Sequence, residues 1–197
     1  MEANINSRTP ILLHVCCAPC STWPIEQLAA DYRITAFFHN PNIYPPDEYA
    51  FRLQETKTYL EPRGIEVVAP EYDRTSWLTR VQRMAGEPEG GLRCRECFAE
   101  RLERTALTAV ERGIPVFTTT LTIGPNKPGK IIFPIGHHIA QMYGIVFLAM
   151  DFKKADGFRR SCILSRQSGM YRQDYCGCEY SLRDRNIRKS LQGKSIM

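Results

Sequence analysis

Ile11-Leu12-Leu13-His14-Val15-Cys16-Cys17-Ala18-Pro19-Cys20-Ser21-Thr22 is the stretch that decides the fold. Ile11 to Val15 is a short apolar run of the kind expected in a strand buried on both faces. It leads directly into the turn Cys16 to Cys20. Thr22 to Asp31 then reads as a helix, with Ser21 or Thr22 as N-cap, Pro24 in the first turn, and Ile25, Leu28 and Ala29 on one face. Strand, turn and helix open a βαβ unit. Ile34 to Phe38 is the second strand and ends in the turn formers His39-Asn40-Pro41-Asn42. Asp47 can cap a helix bearing Tyr49, Leu53, Thr56 and Leu60, which ends at Gly64, and Ile65 to Val68 is a third strand.

Beyond it, Asp73 begins a shorter helix that stops before the breaker-rich loop Gly86 to Gly91. A longer helix starts near Arg93, with Phe98, Leu102, Ala106 and Ala109 on one stripe and Gly113 at its end. Val116 to Thr119 and Ile145 to Leu148 are further buried strands, separated by a Pro/Gly loop and a helix around Ile135 to Met142. From Gly157 the chain reads as polar helix and irregular segments. The alternation predicts a doubly wound, mostly parallel α/β sheet with helices on both faces, Rossmann-like or HUP-like. In such sheets ligands bind beyond the carboxyl ends of the strands. Polar groups gather at four of those ends: Cys16-Cys17, Asn40 and Asn42, Thr118 to Thr120, and Asp151 with Lys153.

The 197 residues suit one domain, at a prior of about 150 residues each. With 43% hydrophobic and 24% charged residues, composition argues against wholesale disorder, collagen-like and coiled-coil classes. The longest apolar run, Tyr143 to Met150, falls far short of the roughly 20 residues of a membrane helix, and no secretory signal is legible at the N-terminus. The expectation is a cytoplasmic protein with no membrane partner. Of the net charge of +5, +4 lies from Leu182 onward, on Arg183, Arg185, Arg188, Lys189 and Lys194 against Asp184. Residues 1–181 are therefore expected to form the catalytic domain and 182–197 a basic tail, suited either to nucleic-acid phosphates or to a solvated terminus.

Eight cysteines in a chain read as cytoplasmic shift the prior from structural disulfides to metal ligation or redox chemistry. Seven fall into three motifs: Cys16, Cys17 and Cys20; Cys94 and Cys97; Cys176 and Cys178. Cys94 and Cys97, three apart, share one face of a helix start. Cys20 and Cys94 are 74 positions apart and Cys97 and Cys176 are 79 apart, so only a folded scaffold can unite them. Buried free thiols, a structural zinc site and a redox-active cysteine pair all fit such motifs, and the count favours redox metal chemistry. Four thiolates close a zinc site or a [4Fe-4S] cluster, leaving three for a second centre or a reactive thiol. His14 reads as a hydrogen-bonded core residue, His39 as core or ligand, His137-His138 as surface and Cys162 as structural.

Several motifs resemble one family over almost the whole chain. They are His14-Val15-Cys16-Cys17-Ala18-Pro19-Cys20-Ser21, Asn40-Pro41-Asn42-Ile43, Glu48-Tyr49 with Arg52, Gly91-Leu92-Arg93-Cys94-x-x-Cys97, Thr118-Thr119-Thr120-Leu121, Asp151-Phe152-Lys153-Lys154 and Tyr171 through Ser181. The resemblance is to the QueH-type epoxyqueuosine reductases. It implies a tRNA-modifying oxidoreductase that converts epoxyqueuosine to queuosine in the anticodon loop. It also implies a [4Fe-4S] cluster and a nearby second metal, iron, in place of cobalamin. Two departures stand out: Gly124-Pro125 where the family commonly has Ser-Pro, and the segment Phe158 to Gln167 with its added Cys162.

Within that resemblance, Cys16, Cys17, Cys20, Cys94, Cys97, Cys176 and Cys178 are the expected metal ligands. Cys94 and Cys97 with two others are expected to hold the cluster, with Cys20 near the second metal. Asp151 and Cys20 are the expected catalytic residues, and a carboxylate at a strand end can orient a ligand or pass protons. Asn40, Asn42 and Tyr49 are candidate contacts to the modified base, and Arg52, Arg93 and Arg172 to phosphate. The partners are tRNA and a low-potential electron donor. Two other classes stay open: a non-enzymatic zinc-binding RNA module, and another thiol- or metal-dependent tRNA-modifying enzyme. A nucleotide-binding enzyme would want a Gly-rich loop after the first strand, where Cys-Cys-Ala-Pro-Cys stands instead.

Overall fold

The computed structural model describes residues 8–194; the first residues of the N-terminal segment and 195–197 of the basic tail lie outside them. Five parallel strands form one sheet in the order β3-β2-β1-β4-β5, where β1 is Thr9–His14, β2 Tyr32–Phe37, β3 Val67–Val68, β4 Val116–Thr119 and β5 Val146–Phe147. The central strand explains the apolar run that opens the chain. Ile11, Leu13 and Val15 face one core with Ile25, Leu28, Phe38 and Leu60, while Leu12 faces the other with Phe98, Leu102, Phe117 and Ile139. Each such side chain, fully buried, contributes about 1.5–3 kcal/mol.

Helices α1 (Ala18–Leu28) and α2 (Pro46–Leu60) cover the first face, and α4 (Leu92–Glu111) and α5 (Gly129–Tyr143) cover the second. α3 (Arg74–Val81) starts as its sequence predicts, with the Asp73 carboxylate accepting from the Thr75 N–H at 2.8 Å and the Ser76 hydroxyl at 2.6 Å. α6 (Gly157–Gln167) packs on α1, where the Ser161 hydroxyl donates to the Pro19 carbonyl at 2.7 Å. α7 (Glu179–Lys194) runs unbroken through the boundary expected between 181 and 182. A third cluster, Trp77, Val81, Cys97, Cys178 and Tyr180, draws α3, α4 and the start of α7 together.

Three helix starts differ from the sequence reading; the least displaced is α2, which begins at Pro46 with Pro45 as N-cap, so Asp47 lies inside its first turn and does not cap it. α1 begins four residues before Thr22, with Cys17 as N-cap, so Cys20 lies in its first turn and not in a preceding loop. The hydroxyls of Ser21 and Thr22 donate back to the carbonyls of Ala18 at 2.7 Å and Pro19 at 3.0 Å. Hydroxyl residues bond either way along a helix, so their presence alone does not locate its start. α5 begins at Gly129, well before Ile135, and carries Pro134 in its interior.

The chain leaves β1 through α1 on one face, whereas β4 is followed by α5 on the other. The carboxyl ends of β1 and β4 are thus the topological switch point, where doubly wound sheets place their ligands. Register pairs His14 with Thr119 across that gap.

Candidate metal centre and substrate cleft

Cys16 lies two residues beyond β1, and its backbone N–H donates to the Thr120 Oγ1 of the neighbouring crossover at 3.2 Å. Its Sγ lies 4.0 Å from that of Cys17, and the sulfurs of Cys16, Cys17 and Cys20 all fall within 4.8 Å of one another. Three thiols this close cannot all ionise unaided. Hydrogen bonds from Cys17 and Cys20, helped by the charges of Lys127 and Arg101, hold the Cys16 thiol well below its usual range. The same sharing drives Cys17 up to about 12 and Cys20 well above its ordinary value. A soft cation is what lets all three become thiolates together, so the donor chemistry fits a thiolate-bound metal.

The other two motifs lie near each other, with Cys97 and Cys178 in one cluster. Cys94 and Cys97 lie one turn apart at the start of α4, and the Gly90 N–H donates to the Cys94 Sγ at 3.2 Å. Burial pushes Cys97 up to about 12, and the charges of Cys176 and Cys178 act on both helix thiols. Between Cys176 and Cys178 the chain turns at Gly177 with φ +123°, and its carbonyl accepts from the Tyr44 N–H at 2.8 Å. A side chain there would press on Arg52, Ile43 and Asn42 at 3.1 to 3.3 Å. The Ser181 N–H and hydroxyl sit 3.4 Å from the Cys178 Sγ.

Three residues that sequence reasoning missed join these thiols. Arg101 is 1% exposed and donates to the Asn40 Oδ1 at 2.5 Å and the His14 Nε2 at 3.3 Å. Burial opposes its charge, and the neighbouring Cys97, Cys16 and Cys176 outweigh that opposition. A signal for it was present, because Cys97, Arg101 and Thr105 recur at i, i+4 on the core stripe of α4, where an arginine needs an anion. Lys127 behaves likewise: burial lowers its basicity, and Cys176, Cys16 and Cys20 more than restore it. The Gln173 amide donates to the Cys17 Sγ at 3.2 Å. Both sit in irregular chain, where no periodicity marks them.

A cleft of about 280 Å³ opens over this group. Of the seven motif cysteines only Cys20 and Cys176 line it, together with Lys127, Phe158, Arg172 and Arg188. The remaining expected residues are distributed differently. Asn40 is buried, its amide donating to the Val15 carbonyl at 2.9 Å while its oxygen is held by Arg101. Asn42 is buried with its Oδ1 unpartnered. Tyr49 stacks on Tyr72 at 4.2 Å between ring centres. Arg52 is bonded to Glu48 at 2.7 Å and lies over the Tyr175 ring. Arg93 donates to the carbonyls of Met84, Ala85 and Glu87, tying the preceding loop to α4. Asp151 pairs with Lys153 at 3.4 Å, and the Lys153 ammonium donates to the carbonyls of Thr122 and Lys127. His14 is fully buried between Thr119 and Arg101, as a core histidine, and His39 pairs with Glu100 at 2.8 Å. His137 and His138 are exposed.

Fold and site together define a class: a doubly wound α/β protein whose switch-point cleft is walled by soft-metal donors and cations. The sequence profile of epoxyqueuosine reductase QueH matches residues 11–184. The chain is 40% identical over 186 residues to the epoxyqueuosine reductase QueH of Histophilus somni, covering 93% of this chain and 76% of that one. It is 37% identical over 179 residues to that of Thermotoga maritima, covering 89% and 91%. This chain belongs to the epoxyqueuosine reductase QueH family. A solved structure described as a predicted subunit of tRNA methyltransferase from Methanocaldococcus jannaschii shares the fold, with a TM-score of 0.53 over 78% of this chain and 76% of that one at 12% identity. No helix among the described residues is long and apolar enough to cross a membrane.

Proposed function

We propose that this protein reduces epoxyqueuosine to queuosine in the anticodon loop of tRNA. The observation that carries the reading is the close group of Cys16, Cys17 and Cys20 at the switch point, with Cys20 and the distant Cys176 lining one cleft, in a member of the QueH family. The reaction breaks the two epoxide C–O bonds and forms a C=C bond, consuming two electrons and two protons as the oxygen leaves as water. When bound, a [4Fe-4S] cluster and a second metal, iron, supply single electrons from a low-potential donor and Lewis acidity, without cobalamin.

Cys94 and Cys97 with the buried Cys16 and Cys17 are the cluster ligands in this reading, and Cys20 and Cys176, which line the cleft, hold the second metal. Cys178, which shares the Trp77 cluster with Cys97, completes the thiol set. Lys127 keeps its proton and offers positive charge to the departing oxygen at the cleft wall. Asp151 acts through Lys153, which holds the backbone of the segment that carries Lys127. Arg172, which lines the cleft, is left for the substrate, and Asn42 is buried away from it. Asn40, Tyr49, Arg52 and Arg93 shape the site from behind, since their polar atoms or rings are already engaged.

Anaerobic purification followed by iron, sulfide and zinc analysis, then turnover of epoxyqueuosine tRNA, tests this. Visible absorption with iron in excess of sulfide and formation of queuosine is expected. A colourless protein holding stoichiometric zinc and inert toward that tRNA overturns it. Cys20→Ala is expected to lower iron more than sulfide, and Cys97→Ala to lower both in parallel; identical losses from the two variants refute the division of ligands.

A further inference from the structure

The basic excess at the C-terminus is largely spent within the protein. On α7, Arg185 and Lys189 both pair with Asp174, at 3.4 and 2.6 Å, and Arg183 pairs with Asp184 at 3.1 Å. Among the described residues Arg188 has no anion partner, and it is the one α7 cation that lines the cleft. Arg172 comes from the segment that leads to Cys176 and lines the same cleft. Its Nη1 donates to the Ser165 hydroxyl at 2.8 Å and its guanidinium lies over the Phe158 ring, which holds it in place without neutralising it. Of the two carboxylates lining the cleft, Asp174 is taken by Arg185 and Lys189, and Glu89 remains.

The geometry points to Arg172 and Arg188 as a two-sided phosphate clamp that holds the RNA backbone beside the nucleotide presented to Cys20 and Cys176. The inference rests on the proposed tRNA substrate. It assigns α7 to the wall of the cleft and separates one functional cation on it from three structural ones. A guanidinium held by a neutral hydroxyl and an aromatic face keeps its full charge for a phosphate, and two from different segments fix the strand's path across the opening.

Binding of an unmodified anticodon stem-loop RNA to the metal-loaded protein, measured by fluorescence anisotropy from 50 to 200 mM salt, tests the clamp. One lost contact to a single strand lowers the slope of log affinity against log salt by about 0.7, which is about fivefold in affinity at 0.1 M salt. Arg188→Ala and Arg172→Ala are each expected to show that loss with iron content unchanged, Arg188→Lys to recover most of it, and Arg183→Ala to match wild type. A wild type that binds the RNA while Arg188→Ala keeps its slope overturns the clamp alone. A wild type that fails to bind at any salt overturns the tRNA reading and the clamp with it.

Discussion

Arg101 shows how one side chain links core and chemistry. Its guanidinium occupies a position on α4 that periodicity assigns to an apolar residue, and it is stable there because Asn40, His14 and the surrounding thiols receive its hydrogen bonds and charge. Arg101→Met keeps the volume but leaves the Asn40 oxygen buried and unpaired, which costs about 1–3 kcal/mol. A matching fall in urea midpoint, with lower iron retention, is expected; an unchanged midpoint would contradict the role. Glu55 carries the opposite lesson. One carboxylate oxygen accepts from the Tyr171 N–H at 2.7 Å, the other is buried without a partner, and burial raises its pKa. At low pH folded and unfolded forms are both protonated and nothing is lost. As pH rises the unfolded chain gives up its proton first, so folding loses stability. Glu55→Gln is therefore expected to exceed wild type in urea midpoint at pH 7, with the gap closing below about pH 4.

At the scale of elements, α6 depends on a single glycine. A Cβ on Gly157 would collide with the Phe152 carbonyl and press on the Trp23 ring, so only glycine lets the start of α6 close onto α1. Phe158 and Ser161, which follow on α6, line the cleft. Gly157→Ala is expected to cost about 1–3 kcal/mol by overpacking and to weaken RNA binding together with stability. Thermal unfolding and anisotropy on the same variant check the coupling. The start of α1 shows the same dependence on packing. Thr22 looks like a cap in sequence, yet its hydroxyl bonds back to Pro19 and meets Ser161 of α6 at 3.3 Å.

For the whole molecule, the seven motif thiols come from three chain segments, at the end of β1, the start of α4 and the turn before α7. Metal that binds them only in the folded state adds its binding energy to folding. Stripping iron anaerobically with a chelator is expected to lower the melting temperature of the entire domain in one transition. Loss confined to α7, with the sheet melting as before, would show that the thiols are not coupled to the core.

The strand order's ingredients, the approximate elements and the three cysteine motifs were legible in the sequence, because burial periodicity and thiol spacing are local properties. The sequence locates Val116–Thr119 to the residue and Asp73 as a cap, but not the start of α2, where Pro45 and not Asp47 is the cap. His14 was legible as a core residue from its place inside an apolar strand. Lys127 and Gln173 were not legible, since each meets the thiols only through residues tens of positions away. Tertiary structure alone decided that Cys20 and Cys176 face the cleft while Cys16, Cys17 and Cys97 are buried. It also decided that most of the tail's charge is answered by Asp174 and Asp184. Composition counts charges and thiols, but which of them remain free is set by distance, and distance between remote segments exists only once the sheet has brought them to one edge.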